Sequence, residues 1–155
     1  MRRFSILLLA AVALVACSRQ PAPPQGRWIG NYESPAVMVE AWLEILPGGT
    51  VRVSAPDLTD IGSPTDEERA VMHARLASQL SDDWNDVVPR KFDFDGRVFR
   101  KPGGFAPQME WNPETRQMKV VFYFGMQRSL RIVMHPVKDF SEDPWGAAPQ
   151  TAEPE

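Results

Sequence analysis

Residues Val37 to Leu46 alternate between two sets of side chains, and no other pattern in the chain restricts its fold as strongly. One set is wholly apolar and the other is mixed; the apolar set is Val37, Val39, Ala41, Leu43 and Ile45. A repeat of two residues is typical of a β-strand that is buried on one face. Pro47-Gly48-Gly49 then signals a turn, and Val51 and Val53 continue the alternation, which predicts a hairpin.

The second half of the chain contains signals for further hairpins. Asp95-Gly96 suits a two-residue turn, which would place Phe92 opposite Phe99. A later turn at residues 112–115 leads into the most strongly patterned strand of the chain and then a returning strand. The predicted inward side chains of these two strands are Met118, Val120, Phe122 and Phe124, followed by Leu130, Ile132 and Met134.

One amphipathic helix, at about residues 64–87, interrupts the series of strands. Ser63 is a suitable N-cap, Pro64 suits the first helical position, and the acidic residues 66–68 complement the positive end of the helix dipole. Apolar residues at three- or four-residue spacing then form a stripe, namely Met72, Leu76, Leu80, Trp84 and Val87. We expect this stripe to pack against the sheet, with a partner-binding helix as the alternative.

A first strand at Arg27 to Tyr32 brings the count to about eight antiparallel strands, so the predicted fold is mainly β with one inserted helix. Such a meander closes into a small barrel, which removes exposed edges, or stays an open, strongly bent sheet. Gly26-Arg27-Trp28 resembles the Gly-x-Trp opening of the lipocalins and related calycins. That resemblance implies a barrel that carries a small apolar ligand. Large inward residues and the helix favour a filled barrel instead.

The N-terminus has the form of a secretory signal. Arg2 and Arg3 precede an apolar run at residues 6–16, which would be about 17 Å long as a helix and too short to span a bilayer core. The segment Leu14-Val15-Ala16-Cys17-Ser18 resembles the lipobox of bacterial lipoproteins. The resemblance implies cleavage before Cys17 and acylation of its sulfur and nitrogen. An ordinary signal peptide cut after Ala13 is the alternative, and it would leave a free thiol.

The family rule for the residue after the cysteine, here Ser18, implies the periplasmic face of the outer membrane. The predicted organisation is a signal peptide at 1–16, a lipidated cysteine with a proline-rich tether at 17–26, a β-domain at 27–139 and a disordered tail at 140–155. The sequence leaves open whether Trp145 docks onto the domain. Removal of the signal leaves 15 basic and 20 acidic residues, a net charge of −5, so we expect no nucleic-acid partner.

The sequence offers no recognisable catalytic or metal motif. His73 and His135 are the only histidines, and neither has a metal-ligand spacing to another histidine or to the single cysteine. We therefore expect surface positions for both histidines and neither metal nor cofactor. The chain is expected not to be an enzyme, and a hydrolase with unrecognised carboxylates is a distant alternative.

Two surface features are candidates for binding. The first is a basic hairpin, in which the two-residue turn would place Lys91 opposite Arg100 and Arg90 opposite Lys101, so that an anionic partner would relieve the repulsion. A solvated edge hairpin is the alternative. The second feature is the pair of outward aromatic side chains, Trp42 and Tyr123, of a type enriched at interfaces. These features favour a membrane-anchored, non-enzymatic module that binds an envelope protein, with a small-ligand carrier as the alternative.

Overall fold

A computed structural model describes residues 21–104, 107–124 and 128–141 of the chain. The predicted signal peptide, Cys17 and Trp145 lie outside these residues. The described strands are β1 (Gly26–Glu33), β2 (Val37–Leu46), β3 (Thr50–Ser54), β4 (Asp57–Thr59), β5 (Arg90–Lys91), β6 (Asp93–Phe94), β7 (Val98–Arg100), β8 (Pro107–Asn112), β9 (Gln117–Phe124) and β10 (Arg128–Val137). Helix α1 (Asp66–Asp83) lies between β4 and β5 and continues into a 3-10 turn at Trp84–Asp86.

The mainly β fold with one inserted helix is confirmed. Ten described strands replace the expected eight or so, because one predicted strand is interrupted and one short strand, β4, was not predicted. The unpredicted strand β4 follows β3 after Ala55 and Pro56, and both of these strands pair with β2. The interruption is at Phe92, which separates β5 from β6 within the predicted first strand of the second hairpin.

The strands form one antiparallel sheet that nearly closes on itself. Its order is β5-β3-β2-β1-β10-β9-β8-β7-β6, with β4 paired to β2 beside β3. The two ends of this path, β5 and β6, are consecutive in sequence and are joined through Phe92. One short segment therefore bridges both ends of the sheet, which makes the fold a nearly closed barrel rather than an open sheet.

Side chains fill the interior of the barrel. Phe99, Met109 and Met118 are fully buried there, together with Leu43 and Met134. Complete burial of such a side chain stabilises the fold by about 1.5–3 kcal/mol, so this interior is the main source of folding energy. The predicted inward residues are confirmed: Val39, Ala41, Leu43, Ile45, Met118, Val120, Ile132 and Met134 are buried, and Val37, Phe122 and Leu130 are partly buried. The side chain of Phe124 is not among those described.

Gly30 shows how tightly β1 packs against β10. A Cβ atom at this position would lie 2.7 Å from the carbonyl oxygen of Val133 and 2.8 Å from Cγ2 of Ile132. Only a residue without a side chain fits here, because a backbone carbonyl cannot move aside cheaply.

Helix α1 lies on the outer wall of the barrel rather than across one of its ends. It packs against β2 and β4, and Leu76 and Leu80 are its buried residues. Thr65, rather than the predicted Ser63, is the N-cap, because its hydroxyl accepts from the backbone N–H of Glu68 while the Glu68 carboxylate accepts from the backbone N–H of Thr65. The backbone N–H and the hydroxyl of Thr65 both donate to the Glu68 carboxylate, and these two hydrogen bonds lower the pKa of Glu68. The α-helix proper ends at Asp83, four residues before the predicted end.

The antiparallel topology gives the barrel two distinct ends. The turns at residues 47–49, 95–97 and 113–116 lie at one end, together with the start of β1 and the end of β10. We call this the tether end because the proline-rich tether enters β1 there. The ends of β1, β7 and β9 and the starts of β2, β8 and β10 lie at the opposite end, which we call the distal end.

Candidate functional site

Trp42, a predicted binding residue, belongs to an aromatic cluster on the outer wall. The ring of Phe140 stacks on Trp42 with centroids 4.5 Å apart, and Trp84 meets both rings edge-on at 5.8 and 4.8 Å. Trp42 is half-buried as a result. The end of the helical segment and Phe140 cover part of its ring, and its role as a binding residue stays a prediction. Phe140, the first residue of the predicted disordered tail at 140–155, packs against the domain.

A buried carboxylate, Glu44, binds the two arginines that lie against this aromatic cluster, Arg27 over Phe140 and Arg52 over Trp84. Glu44 is only 8% exposed, and its side chain accepts from Arg27 at 2.9 Å and from Arg52 at 3.3 Å. Arg52 also donates to the backbone carbonyls of Trp84 and Val87, at 3.2 and 3.3 Å. A buried charge is tolerated only when it is paired and hydrogen-bonded. The network therefore ties the end of the helical segment to β2 and β3.

A second polar cluster joins the middle of α1 to the barrel. Nδ1 of His73 lies 2.6 Å from Oε1 of the buried Glu40, and Nε2 lies 3.7 Å from Glu33. Arg69 pairs with the same Glu33. His73 is thus half-buried in an ion-pair cluster instead of lying free on the surface.

The predicted register of the basic hairpin is wrong. Asp93 pairs with Arg100 and Phe94 with Phe99, so Arg100 faces an acidic residue. Arg90 and Lys91 pair with β3 instead, at the other end of the sheet path. Lys91 donates to the carbonyl of Gly48, and Lys101 lies exposed in the β7–β8 connection. Like charges do not face one another on this hairpin, so cross-strand repulsion gives no reason to expect an anionic partner.

The side chain of Asp95 explains the shift in register. Its Oδ1 accepts from the backbone N–H groups of Arg97 and Val98, at 3.0 and 2.8 Å, and its Oδ2 accepts from Arg100 at 2.6 Å. These bonds, with the hydrogen bond from the backbone N–H of Asp95 to the carbonyl of Val98, favour a turn centred on Gly96 and Arg97, one residue later than the predicted Asp95-Gly96. The hydrogen bond from Arg100, followed by those from the two amides, lowers the pKa of Asp95 to about 2.

Tyr123, the other outward aromatic candidate, lies near the distal end of β9 and is 45% exposed. The nearby mouth of the barrel is apolar. Its inward side chains are only partly buried, in contrast to those at mid-barrel, and we call this set the distal mouth: Tyr32, Val37, Ala55, Phe122 and Leu130. Sequence reasoning assigned several of these residues to the core but missed their common position at one opening, since that position follows from the pairing of distant strands.

The tether, predicted as an extended, semi-rigid spacer, contacts the barrel along its described part. Cγ of Pro23 lies 3.1 Å from where a Cβ of Gly49 would stand, and Cγ of Pro21 lies 2.7 Å from the corresponding position at Gly96. Residues 21–23 border a hollow of about 330 Å³ whose other wall is the segment that bridges the sheet ends, Lys91 to Phe94. The glycines leave room for the prolines at both turns.

Among the described residues, no group of three or more histidine, cysteine or acidic side chains is arranged to hold a metal ion. No helix in the same part of the chain is long and apolar enough to cross a membrane. Cys17 lies outside the described residues, so its role depends on the lipobox resemblance. Comparison with protein-family models, with curated proteins and with solved structures finds no match to this chain.

Proposed function

We propose that this protein is a lipoprotein of the bacterial envelope whose β-domain binds another envelope protein and catalyses no reaction. Acyl chains on Cys17 would anchor it, with the periplasmic face of the outer membrane as its location. Several chains hold a protein firmly at a membrane, because each buried methylene contributes about 0.8 kcal/mol.

The filled interior is the observation that carries the binding role. The calycin resemblance at Gly26–Trp28 suggests a carrier, but large side chains occupy the space that a ligand would need. A surface contact is therefore the better-supported use of this barrel. Among the exposed features, the distal mouth with Tyr123 beside it has the apolar and aromatic character of an interface centre.

One observation favours the carrier as a second candidate. The indole N–H of Trp28 is buried and has no hydrogen-bond partner among the described groups. An unpaired buried donor costs about 1–3 kcal/mol, and a ligand with an acceptor group could satisfy it. Native mass spectrometry of the purified protein separates the two candidates. We expect no bound small molecule, whereas a stoichiometric ligand mass would favour the carrier.

Site-specific crosslinking tests the binding surface. A photoreactive amino acid would replace Tyr123 in the full-length protein in living cells, and a matched control would carry it at Val88, which is 71% exposed on another face. We expect a discrete crosslinked species from position 123 and none from position 88. The wild-type protein should compete for this species, and a Tyr123→Ala protein should compete at least about tenfold less well. Equal crosslinking from both positions would contradict the proposed surface.

A further inference from the structure

The tether end of the barrel carries exposed cationic side chains beside the entering chain. Arg97 lies in the β6–β7 turn and Arg116 in the β8–β9 turn, and both are exposed. Among the described residues neither side chain has an ion-pair partner. Lys91 adds a third exposed cation at this end, since its only described bond is to a neutral carbonyl.

The acidic groups at this end only partly offset these cations. Asp95 is bound to Arg100, and Asp139 lies 3.6 Å from Arg27. Asp93 and Glu114 remain exposed. The end is therefore positive on balance, although the chain without its signal peptide carries a net charge of −5. A positive end on a negative protein is attracted to an anionic surface and orients the protein towards it.

Chain length places this end close to the predicted anchor. Pro21 contacts the turn at Gly96, and Cys17 precedes it by four residues. Four residues span at most about 14 Å when fully extended. An acylated Cys17 thus keeps the tether end within that distance of the lipid surface, at a range where phospholipid charge acts on basic side chains.

We propose that the tether end docks onto anionic lipid headgroups of the membrane in which Cys17 is anchored. Arg97, Arg116 and Lys91 would contact the headgroups, and the distal mouth with Tyr123 would face away from the membrane. This orientation depends on the acylation of Cys17 proposed above. It leaves the proposed protein-binding surface accessible in the periplasm.

Fluorescence quenching in vesicles tests this orientation. The acylated full-length protein would be reconstituted into phosphatidylglycerol-containing vesicles with spin-labelled headgroups. A single environment-sensitive dye would be attached through Thr115→Cys at the tether end or Ala36→Cys at the distal end. The native thiol is not labelled, because acylation has consumed it. We expect at least about threefold stronger quenching at position 115, and a smaller difference in high salt or in neutral vesicles.

Charge reversal provides the matched control. Arg97→Glu with Arg116→Glu should reduce the difference between the two dye positions to the part that the short tether maintains without docking. Arg75→Glu with Lys101→Glu makes the same change of charge on the exposed helix surface and at the distal end, and should preserve the difference. Circular dichroism would check that both double variants keep the wild-type fold.

Two results would overturn the inference, and they are distinguishable. Equal quenching at both positions in acylated, vesicle-bound protein, or a difference that Arg97→Glu with Arg116→Glu leaves unchanged, would refute the docking and leave the anchoring intact. A protein that does not float with vesicles and carries no acyl mass would refute the anchoring, and with it the docking that depends on it.

Discussion

At the scale of single residues, buried carboxylates determine which polar contacts matter for stability. Glu44 looks like an ordinary solvent-facing residue of an alternating strand, and sequence reasoning could not identify its partners. Arg27 is 17 positions away in the chain, and Arg52 lies across a hairpin. Their convergence depends on the pairing of β1, β2 and β3, together with the helical segment that covers them.

Replacement of Glu44 tests this network. Glu44→Gln keeps the shape but removes the charge between Arg27 and Arg52, and we expect a loss of about 2 kcal/mol in the free energy of unfolding. Urea denaturation measures it. The same change at the exposed Glu114 should stay within about 0.5 kcal/mol. If Glu44→Gln lowered the free energy of unfolding by no more than Glu114→Gln does, the ion pairs of Glu44 would add no stability.

Asp95 should make the stability of the protein depend on pH in the acidic range. Its folded-state pKa is lowered to about 2 from an ordinary value of 3.8, so its contribution to stability is complete above about pH 4 and is lost as the pH falls towards 2. Wild type should therefore exceed Asp95→Asn in stability at pH 6, and this difference should shrink below pH 4. Denaturation of both proteins across this range measures it. A difference that does not change with pH would contradict the assigned pKa.

At the scale of elements, alternation predicts most strands and their inward faces, because burial on one face requires a repeat of two residues. It does not predict register, which side-chain capping can change, as Asp95 does in the β6–β7 connection. Nor does it predict interruptions such as the one at Phe92, before which β5 pairs with β3 and after which β6 pairs with β7. Trp42 follows the alternation correctly as an outward residue, yet outward does not mean exposed where a helix and Phe140 pack on the wall.

The start of α1 offers a test with an internal control. Two candidate caps, Ser63 and Thr65, lie two residues apart, and only Thr65 takes part in the reciprocal bonds with Glu68. Thr65→Ala should lower the free energy of unfolding by about 1 kcal/mol, while Ser63→Ala should change it by less than about 0.5 kcal/mol. Thermal or urea unfolding of the two variants measures this. A larger loss of stability from Ser63→Ala than from Thr65→Ala would show that Ser63 is the N-cap.

At the scale of the whole molecule, the barrel combines a filled interior, a tether packed against one end and an apolar mouth at the other. The sequence predicts the filled interior through its large inward side chains, and the structure confirms their burial. It could not predict that the tether contacts Gly49 and Gly96, since these two turns meet the same segment only after the sheet has closed. The partner also stays outside sequence reasoning, because a binding surface is formed from residues on several strands.

The mass of the protein isolated from bacterial membranes tests the central claim most directly. The account predicts a chain that begins at Cys17, with the added mass of acyl chains on that residue. Cys17→Ser should remove this mass and should leave the protein unprocessed or released from the membrane. A soluble wild-type protein with an unmodified Cys17 would contradict the account.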